Sequence, residues 1–92
     1  MSAPRAPAGH FTVLYFAAAS SFTRKQHDHL PAPLEIPALL DELNRRYPGI
    51  KDKVLTSSAL TVNLEYVDLD EAKGVFIQEY DEVAIIPPVS SG

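Results

Sequence analysis

The segment DEVAIIPPVSSG (residues 81–92) contains the strand that decides the fold. Successive side chains of an extended chain point to opposite faces, so the run VAII places two apolar side chains on each face. A strand that is apolar on both faces is expected in the middle of a sheet, with protein covering both sides. Pro87 and Pro88 then end the strand, because proline has no N–H to donate to a neighbouring strand.

The segment HFTVLYFAA (10–18) is also expected to be a central strand, because both of its faces are apolar. One face carries Phe11, Val13 and Tyr15, and the other carries Leu14 and Phe16. By contrast, prolines interrupt HDHLPAPLEI (27–36) at positions 31 and 33. Any strand in that segment is therefore expected at an edge of the sheet.

The segment PALLDELNRRYPG (37–49) predicts the main helix. Apolar residues recur there at spacings of three and four and form one stripe: Ile36, Leu39, Leu40, Leu43 and Tyr47. Pro37 suits the first helical position, and Asp41 and Glu42 are expected in the early turns, where the helix dipole favours acids. An amphipathic helix of this kind is expected to pack its stripe on the sheet.

After the helix, VLTSSALTVNLEYVDL (54–69) predicts one alternating strand. Its two faces are expected to carry Leu60, Val62, Leu64 and Tyr66 on one side and Thr61, Asn63 and Glu65 on the other. The segment DLDEAKG (68–74) is expected to be a turn, and VFIQEY (75–80) to include a short strand.

This order of elements predicts an α+β domain of the ubiquitin-like β-grasp type. In that architecture the first and last strands pair in parallel at the centre of a mixed sheet, and one main helix crosses one face. The apolar residues of the other face are left for a partner. The expected organisation is a disordered lead-in (1–9), a β-grasp domain (10–86) and an extended flexible tail (87–92).

The charge balance limits the partners. The 92 residues include 8 Lys and Arg against 12 Asp and Glu, a net charge of −4, so neither nucleic acid nor a membrane surface is an expected partner. There is no cysteine, which excludes disulfides and thiolate nucleophiles. No apolar run approaches the ~18 residues of a membrane span, and the leader MSAPRAPAG lacks the apolar stretch of a signal peptide. We expect a cytoplasmic protein.

No group of side chains indicates catalysis or a metal site. HDH (27–29) has two histidines on one side of an extended segment, but further ligands are lacking, so a solvated edge segment is favoured and no metal is expected. DLDEAKG (68–74) has Ala72 at the fifth position of a calcium loop and is rejected as one. QEYDE (78–82) is interpreted as a solvated turn, with an acidic docking patch for a basic partner as the alternative.

The tail is chemically unusual. Prolines carry the chain away from the sheet, small residues can pass through a narrow channel, and a final glycine leaves the carboxyl carbon of Gly92 unshielded. Such a carboxylate is suited to activation as a mixed anhydride with a nucleotide phosphate and to transfer onto sulfur or an amine. Composition alone leaves an ordinary frayed terminus equally open.

Four motifs together resemble the small, sulfur-carrier subunits of molybdopterin synthase, and the resemblance runs from His10 to Gly92. They are VLYFA (13–17), RRYPG (45–49), VNLEYV (62–67) and, most specifically, DEVAIIPPVSSG (81–92). The resemblance implies that an ATP-using, ubiquitin-activating-like adenylyltransferase and sulfurtransferase adenylates Gly92 and converts it to a thiocarboxylate. The chain would bind no cofactor and would carry AMP only transiently, as a phosphoprotein-like C-terminal adenylate.

The same resemblance implies a subunit that is not catalytic on its own. The thiocarboxylate would donate sulfur to cyclic pyranopterin monophosphate in the active site of the large subunit, within a heterotetramer. The site residues implied are Gly92 as the sulfur-bearing residue and, for the tail that threads the partner sites, Pro87, Pro88, Val89, Ser90 and Ser91. The partner interface is expected to include Phe16, Tyr80, Ile85 and Ile86.

Two positions depart from the pattern of these carriers. Ser91 stands where glycine is usual, and Tyr80 replaces a glycine in the turn before the last strand. A tyrosine tolerates positive φ poorly, so this turn is expected to differ and Tyr80 is expected to reach the partner surface.

Two other functions remain open from the sequence. One is another ubiquitin-like carrier, either a sulfur donor for thiamine or tRNA thiolation or a protein modifier. The other is a β-grasp interaction module with an inert tail.

Overall fold

The computed structural model describes residues 5–87, and the elements below lie within that range. The strands are β1 (His10–Tyr15), β2 (His27–Pro31), β3 (Leu34–Glu35), β4 (Ala59–Val62), β5 (Glu65–Val67), β6 (Phe76–Ile77) and β7 (Glu82–Ile86). The α-helices are α1 (Ala18–Thr23), α2 (Ile36–Arg46) and α3 (Ile50–Lys53), and two short 3-10 turns cover Leu55–Ser57 and Leu69–Glu71.

Five strands form a mixed sheet in the order β2-β1-β7-β4-β5, and β3 and β6 form a separate two-stranded sheet. β7 lies at the centre and pairs in parallel with β1, with Val13 opposite Val83 and Tyr15 opposite Ile85. The predicted central, parallel pairing of the first and last strands is confirmed. The segment with the two prolines forms β2 at the sheet edge, also as predicted.

Helix α2 packs its apolar stripe into the core. Ile36, Leu39 and Leu43 are buried, and they join one cluster with the inward-facing side chains of β1, β4 and β7. Asp41 and Glu42 lie in the second turn, because the helix begins at Ile36, and its first turn contains no acid. Glu42 pairs instead with Arg45 and Arg46, whose hydrogen bonds lower the pKa of Glu42 to about 2.

The predicted single strand after the helix is wrong. The chain forms a hairpin in which β4 and β5 pair antiparallel, and Asn63 and Leu64 form its two-residue loop. Both loop residues have positive φ, 51° and 72°, which matches the twist of a tight hairpin. The reversal brings Tyr66 opposite Thr61, on the face away from the core, instead of on the face of Leu60. Leu64 is 86% exposed at the turn.

The described part of the lead-in contacts the domain at two residues, and the disorder of residues 1–9 stays a prediction. Ala6 is buried, and the Gly9 N–H donates to the Glu79 carboxylate at 2.5 Å. The Ala32 N–H donates to the Gly9 carbonyl oxygen, which ties the segment to the end of β2. Residues 1–4 of the lead-in lie outside the described residues.

Between residues 5 and 87, no helix has the length and apolar character that a membrane crossing needs.

Candidate functional site

The face of the five-stranded sheet that is turned away from the core is the first part of the candidate site. Register aligns one row of side chains across all five strands of this face, which we call the open face: His27, Leu14, Ala84, Thr61 and Tyr66. Ala84 and Thr61 near its centre are small and buried, whereas Tyr66 at its border is 66% exposed. Because the helices contribute their buried residues to the core on the other side, a flat surface is left on the open face.

The end of β7 is the second part of the site. The Phe16 N–H donates to the Ile85 carbonyl oxygen at 3.2 Å, which places Phe16 beside the last residues of β7. Phe16 is 43% exposed, Ile86 is half-buried opposite Ala59, and Pro87 is exposed. The chain therefore leaves the sheet at Pro87 from a point bordered by two apolar side chains.

The four residues predicted at the partner interface do not form one patch. Phe16 and Ile86 lie together, but Ile85 is only 1% exposed and packs in the core, so the prediction that its side chain faces a partner is wrong. Strand periodicity explains the error, because Ile85 and Ile86 point to opposite faces. Tyr80 lies two residues before Glu82, the other end of β7. At ~3.3 Å per residue, Glu82 is itself roughly 13 Å from Ile86. Pro88, Val89, Ser90, Ser91 and Gly92 lie outside the described residues.

The turn before β7 keeps the glycine-like conformation, so the expectation that tyrosine would change it is wrong. Tyr80 has a φ of 68°. Its N–H donates to the His10 carbonyl oxygen at 2.8 Å, and the Arg5 guanidinium lies 5.0 Å from its ring centroid. These contacts hold a backbone conformation that a tyrosine alone would disfavour. Tyr80 is still 48% exposed.

Asp28 lies at the centre of a polar cluster that was not predicted from the sequence. The Asp28 carboxylate accepts hydrogen bonds from the Tyr15 hydroxyl at 2.8 Å, the Tyr47 hydroxyl at 2.5 Å and the Lys25 ammonium at 3.1 Å. Burial by itself would raise the pKa of Asp28, but the donors Tyr47, Tyr15 and Lys25 outweigh it and lower that pKa below its ordinary value. Burial, reinforced by Asp28, raises the pKa of Tyr15. Asp28 is therefore a structural anion, not part of a freely solvated segment.

The histidines on either side of Asp28 project to the open face. The rings of His27 and His29 have centroids 5.1 Å apart, and the His29 Nδ1 lies 3.2 Å from the Thr12 hydroxyl. Within residues 5–87, no three or more His, Cys, Asp or Glu side chains converge to hold a metal ion. The absence of a metal stays a prediction.

Comparison with known proteins agrees on one family. The model of the ThiS family matches residues 13–92. Proteins named molybdopterin synthase sulfur carrier subunit are 59% identical in Phaeosphaeria nodorum and 61% identical in Pyrenophora tritici-repentis, and in both cases the match covers 100% of each chain. A human protein of the same name is 39% identical over 87% of this chain and 91% of its own length.

Solved structures agree on the fold. A molybdopterin converting factor subunit 1 from Pyrococcus furiosus superposes with a TM-score of 0.72 at 24% identity, over 87% of this chain and 98% of that one. Small archaeal modifier protein 1 from Methanosarcina acetivorans gives 0.71 at 22% identity, over 94% and 99%. A complex of subunits 1 and 2 of the molybdopterin-converting factor from Helicobacter pylori gives 0.63 at 18% identity, over 90% and 99%. The predicted β-grasp fold is confirmed.

Proposed function

The chain belongs to the ThiS family, and we propose that it works as the sulfur carrier of molybdopterin synthase, with sulfur held on the carboxyl group of Gly92. The two fungal relatives described above bear this name and match the chain over its whole length. The chain contributes no catalytic side chain of its own in this proposal, and its C-terminal carboxyl group is the reacting group.

The observation that carries the proposal is the way the chain leaves the sheet. β7 is the central strand, and its last paired residue is Ile86. Among the described residues, the buried core cluster ends at Ile85, and Pro87 is exposed. Two successive prolines cannot continue the backbone pairing of β7, so the tail is expected to lead away from the sheet.

The chemistry at Gly92 has two steps. A carboxylate oxygen attacks the α-phosphate of ATP on an activating enzyme, which releases pyrophosphate and leaves an acyl adenylate. In the second step the terminal sulfur of a persulfide-type donor displaces AMP and forms an acyl disulfide, and a thiol of the donor system then cleaves its S–S bond, which releases the thiocarboxylate and leaves a disulfide on the donor system. A glycine is suited to both steps, because no Cβ shields its carboxyl carbon from the enzyme.

The acceptor in this proposal is cyclic pyranopterin monophosphate in the active site of the large subunit. Molybdopterin has two dithiolene sulfurs, so each product requires two loaded carriers or one that is reloaded. The cations that bind the substrate phosphate are assigned to the large subunit, in agreement with the acidic balance of this chain. The absence of cysteine is compatible with the reducing cytoplasm, where we place the reaction.

The large subunit is proposed to cover the open face. Phe16 and Ile86 border the point where the tail leaves, and Tyr66 lies on the same face at the β5 edge of the sheet. A partner seated on this surface would bury large apolar side chains and receive the tail at the same time. One protein contact would then position Gly92 for transfer.

Intact mass spectrometry tests the carrier function. After incubation with ATP, the cognate activating enzyme and a sulfur donor, the chain is expected to gain the mass difference between one sulfur and one oxygen. Deletion of Gly92 should abolish the gain, whereas Ser91→Gly, which keeps Gly92, should load at least as fast as the wild type. An unchanged wild-type mass would refute the proposal, and lysine conjugates on other proteins would indicate a protein modifier instead.

A further inference from the structure

The tip of the β4–β5 hairpin has an unusual residue in a demanding position. Asn63 and Leu64 form a two-residue loop in which both residues have positive φ. Asparagine adopts this conformation readily, and the second position of such a loop normally takes glycine. Leucine is unfavourable there because its Cβ crowds the backbone.

Leu64 gains nothing from packing within the described chain. It is 86% exposed, the most exposed of the large apolar side chains between residues 5 and 87. A strained backbone and an exposed apolar side chain at the same residue are both costly for the isolated domain. Residues of this kind are found where a partner compensates the cost.

The tip is held in a fixed position. The Asn63 N–H donates to the Glu82 carbonyl oxygen at 2.8 Å, and the Glu82 N–H donates back to the Asn63 side-chain oxygen at 3.0 Å. The Asn63 amide nitrogen also donates to the Asp81 carboxylate at 3.0 Å. Three hydrogen bonds between Asn63 and the start of β7 hold the backbone of the loop that carries Leu64.

The surroundings of the tip indicate the chemistry of its partner. Tyr66, two residues on, lies on the open face, so the tip continues the surface that we assign to the large subunit. Glu65 follows Leu64 directly, and Asp81 and Glu82 are bonded to its neighbour Asn63. None of these three acids forms an ion pair with a cation in residues 5–87. An apolar side chain within a rim of unpaired acids fits an apolar pocket with Lys or Arg at its mouth.

We propose that Leu64 is an anchor that inserts into such a pocket on the large subunit of molybdopterin synthase. The inference rests on the proposed function, because it takes the partner from there. It adds a second contact to that of the tail, at the opposite end of β7. The two contacts together fix the orientation of the carrier on its partner.

The test separates binding from stability. Leu64→Gly removes the side chain and also relieves the positive φ, so we expect a melting temperature equal to or above that of the wild type. Isothermal titration with the purified large subunit should nevertheless show about tenfold weaker binding, as for loss of an interface anchor. Leu64→Asn, which tolerates the turn, should bind as weakly as Leu64→Gly.

Val75→Asn provides the matched control. Val75 is also an exposed apolar residue, but it lies beside the separate β3–β6 sheet, and its replacement should leave the affinity unchanged. If both Leu64 variants bind the large subunit with wild-type affinity, the anchor is overturned. It is also overturned if these variants bind only the activating enzyme more weakly, and not the large subunit. If Phe16→Asp weakens the complex and the Leu64 variants do not, only the anchor fails. If the wild type does not bind the large subunit, the proposed function fails with it.

Discussion

Tyr80 illustrates how a single residue can keep an unfavourable backbone conformation. Its φ of 68° is one that glycine adopts freely and that a tyrosine adopts at a cost of about 1 kcal/mol. The hydrogen bond from its N–H to His10 and the contact of its ring with Arg5 offset this cost. The turn is therefore determined by its hydrogen bonds and not by the residue type.

The strain at Tyr80 predicts different results for two small replacements. Tyr80→Gly and Tyr80→Ala both lose the contact with Arg5, but only glycine relieves the positive φ. We expect the free energy of unfolding of Tyr80→Gly to exceed that of Tyr80→Ala by about 1 kcal/mol, measured by urea denaturation. Equal stabilities would show that the turn changes its backbone conformation when the side chain is removed.

Asp28 connects three elements. Its carboxylate on β2 binds the hydroxyl of Tyr15 on β1 and that of Tyr47, the residue that ends α2. The two tyrosine rings also meet edge to face, with centroids 6.1 Å apart. Strand β2 lies at the edge of the sheet and pairs only with β1, so these side-chain contacts give it additional stability.

The lowered pKa of Asp28 predicts how stability depends on pH. A carboxyl group with a lower pKa in the folded state stabilises fully above its unfolded value of ~3.9, and this contribution is lost as the pH falls through the folded-state pKa. Asp28→Asn should cost about 1–3 kcal/mol at pH 7, because two tyrosine hydroxyls lose their charged acceptor. The difference from the wild type should shrink below pH 4.

Urea denaturation between pH 3 and pH 7 measures this difference. Glu71→Gln removes an exposed carboxylate for which the structure shows no side-chain partner among the described residues, so it should follow the wild type throughout. A stability gap between Asp28→Asn and the wild type that stays constant over this range would contradict the assigned role of the charge.

At the scale of the whole molecule, β7 serves both the core and the proposed docking surface. Its side chains alternate, so Val83 and Ile85 complete the core while Ala84 and Ile86 belong to the open face. The same strand continues into the tail. Stability and partner binding therefore depend on adjacent residues of β7 whose side chains lie on opposite faces of the sheet.

This division predicts opposite effects at two adjacent isoleucines. Ile85→Val should lower the free energy of unfolding by about 0.5–1.5 kcal/mol and leave the affinity for the large subunit unchanged. Ile86→Asn should weaken that affinity with a smaller effect on stability. Urea denaturation and titration calorimetry on both variants check the pattern, and a loss of affinity in Ile85→Val would mean that the core side chain reaches the partner.

The sequence by itself determined the central pairing of β1 and β7, the edge position of β2 and the helix α2. Each follows from hydrophobic periodicity or from proline. These signals are local, because the residue pattern shows whether a segment is apolar on two faces, on one stripe or on neither. The end of β7 at Ile86 followed from the two prolines after it.

Only the tertiary structure decided the hairpin at Asn63 and Leu64, the turn at Tyr80 and the cluster at Asp28. At the hairpin, Asn63 donates to the Asp81 carboxylate and exchanges hydrogen bonds with the Glu82 backbone, and at the other turn the Tyr80 N–H donates to His10. These bonds select a positive φ that leucine and tyrosine do not favour. At Asp28, two donors are the hydroxyls of Tyr15 and Tyr47, which lie 13 and 19 positions away in the sequence. The third donor is the nearby Lys25. Contacts between residues far apart in sequence outweighed local preference at each of these places, and a residue pattern does not contain such contacts.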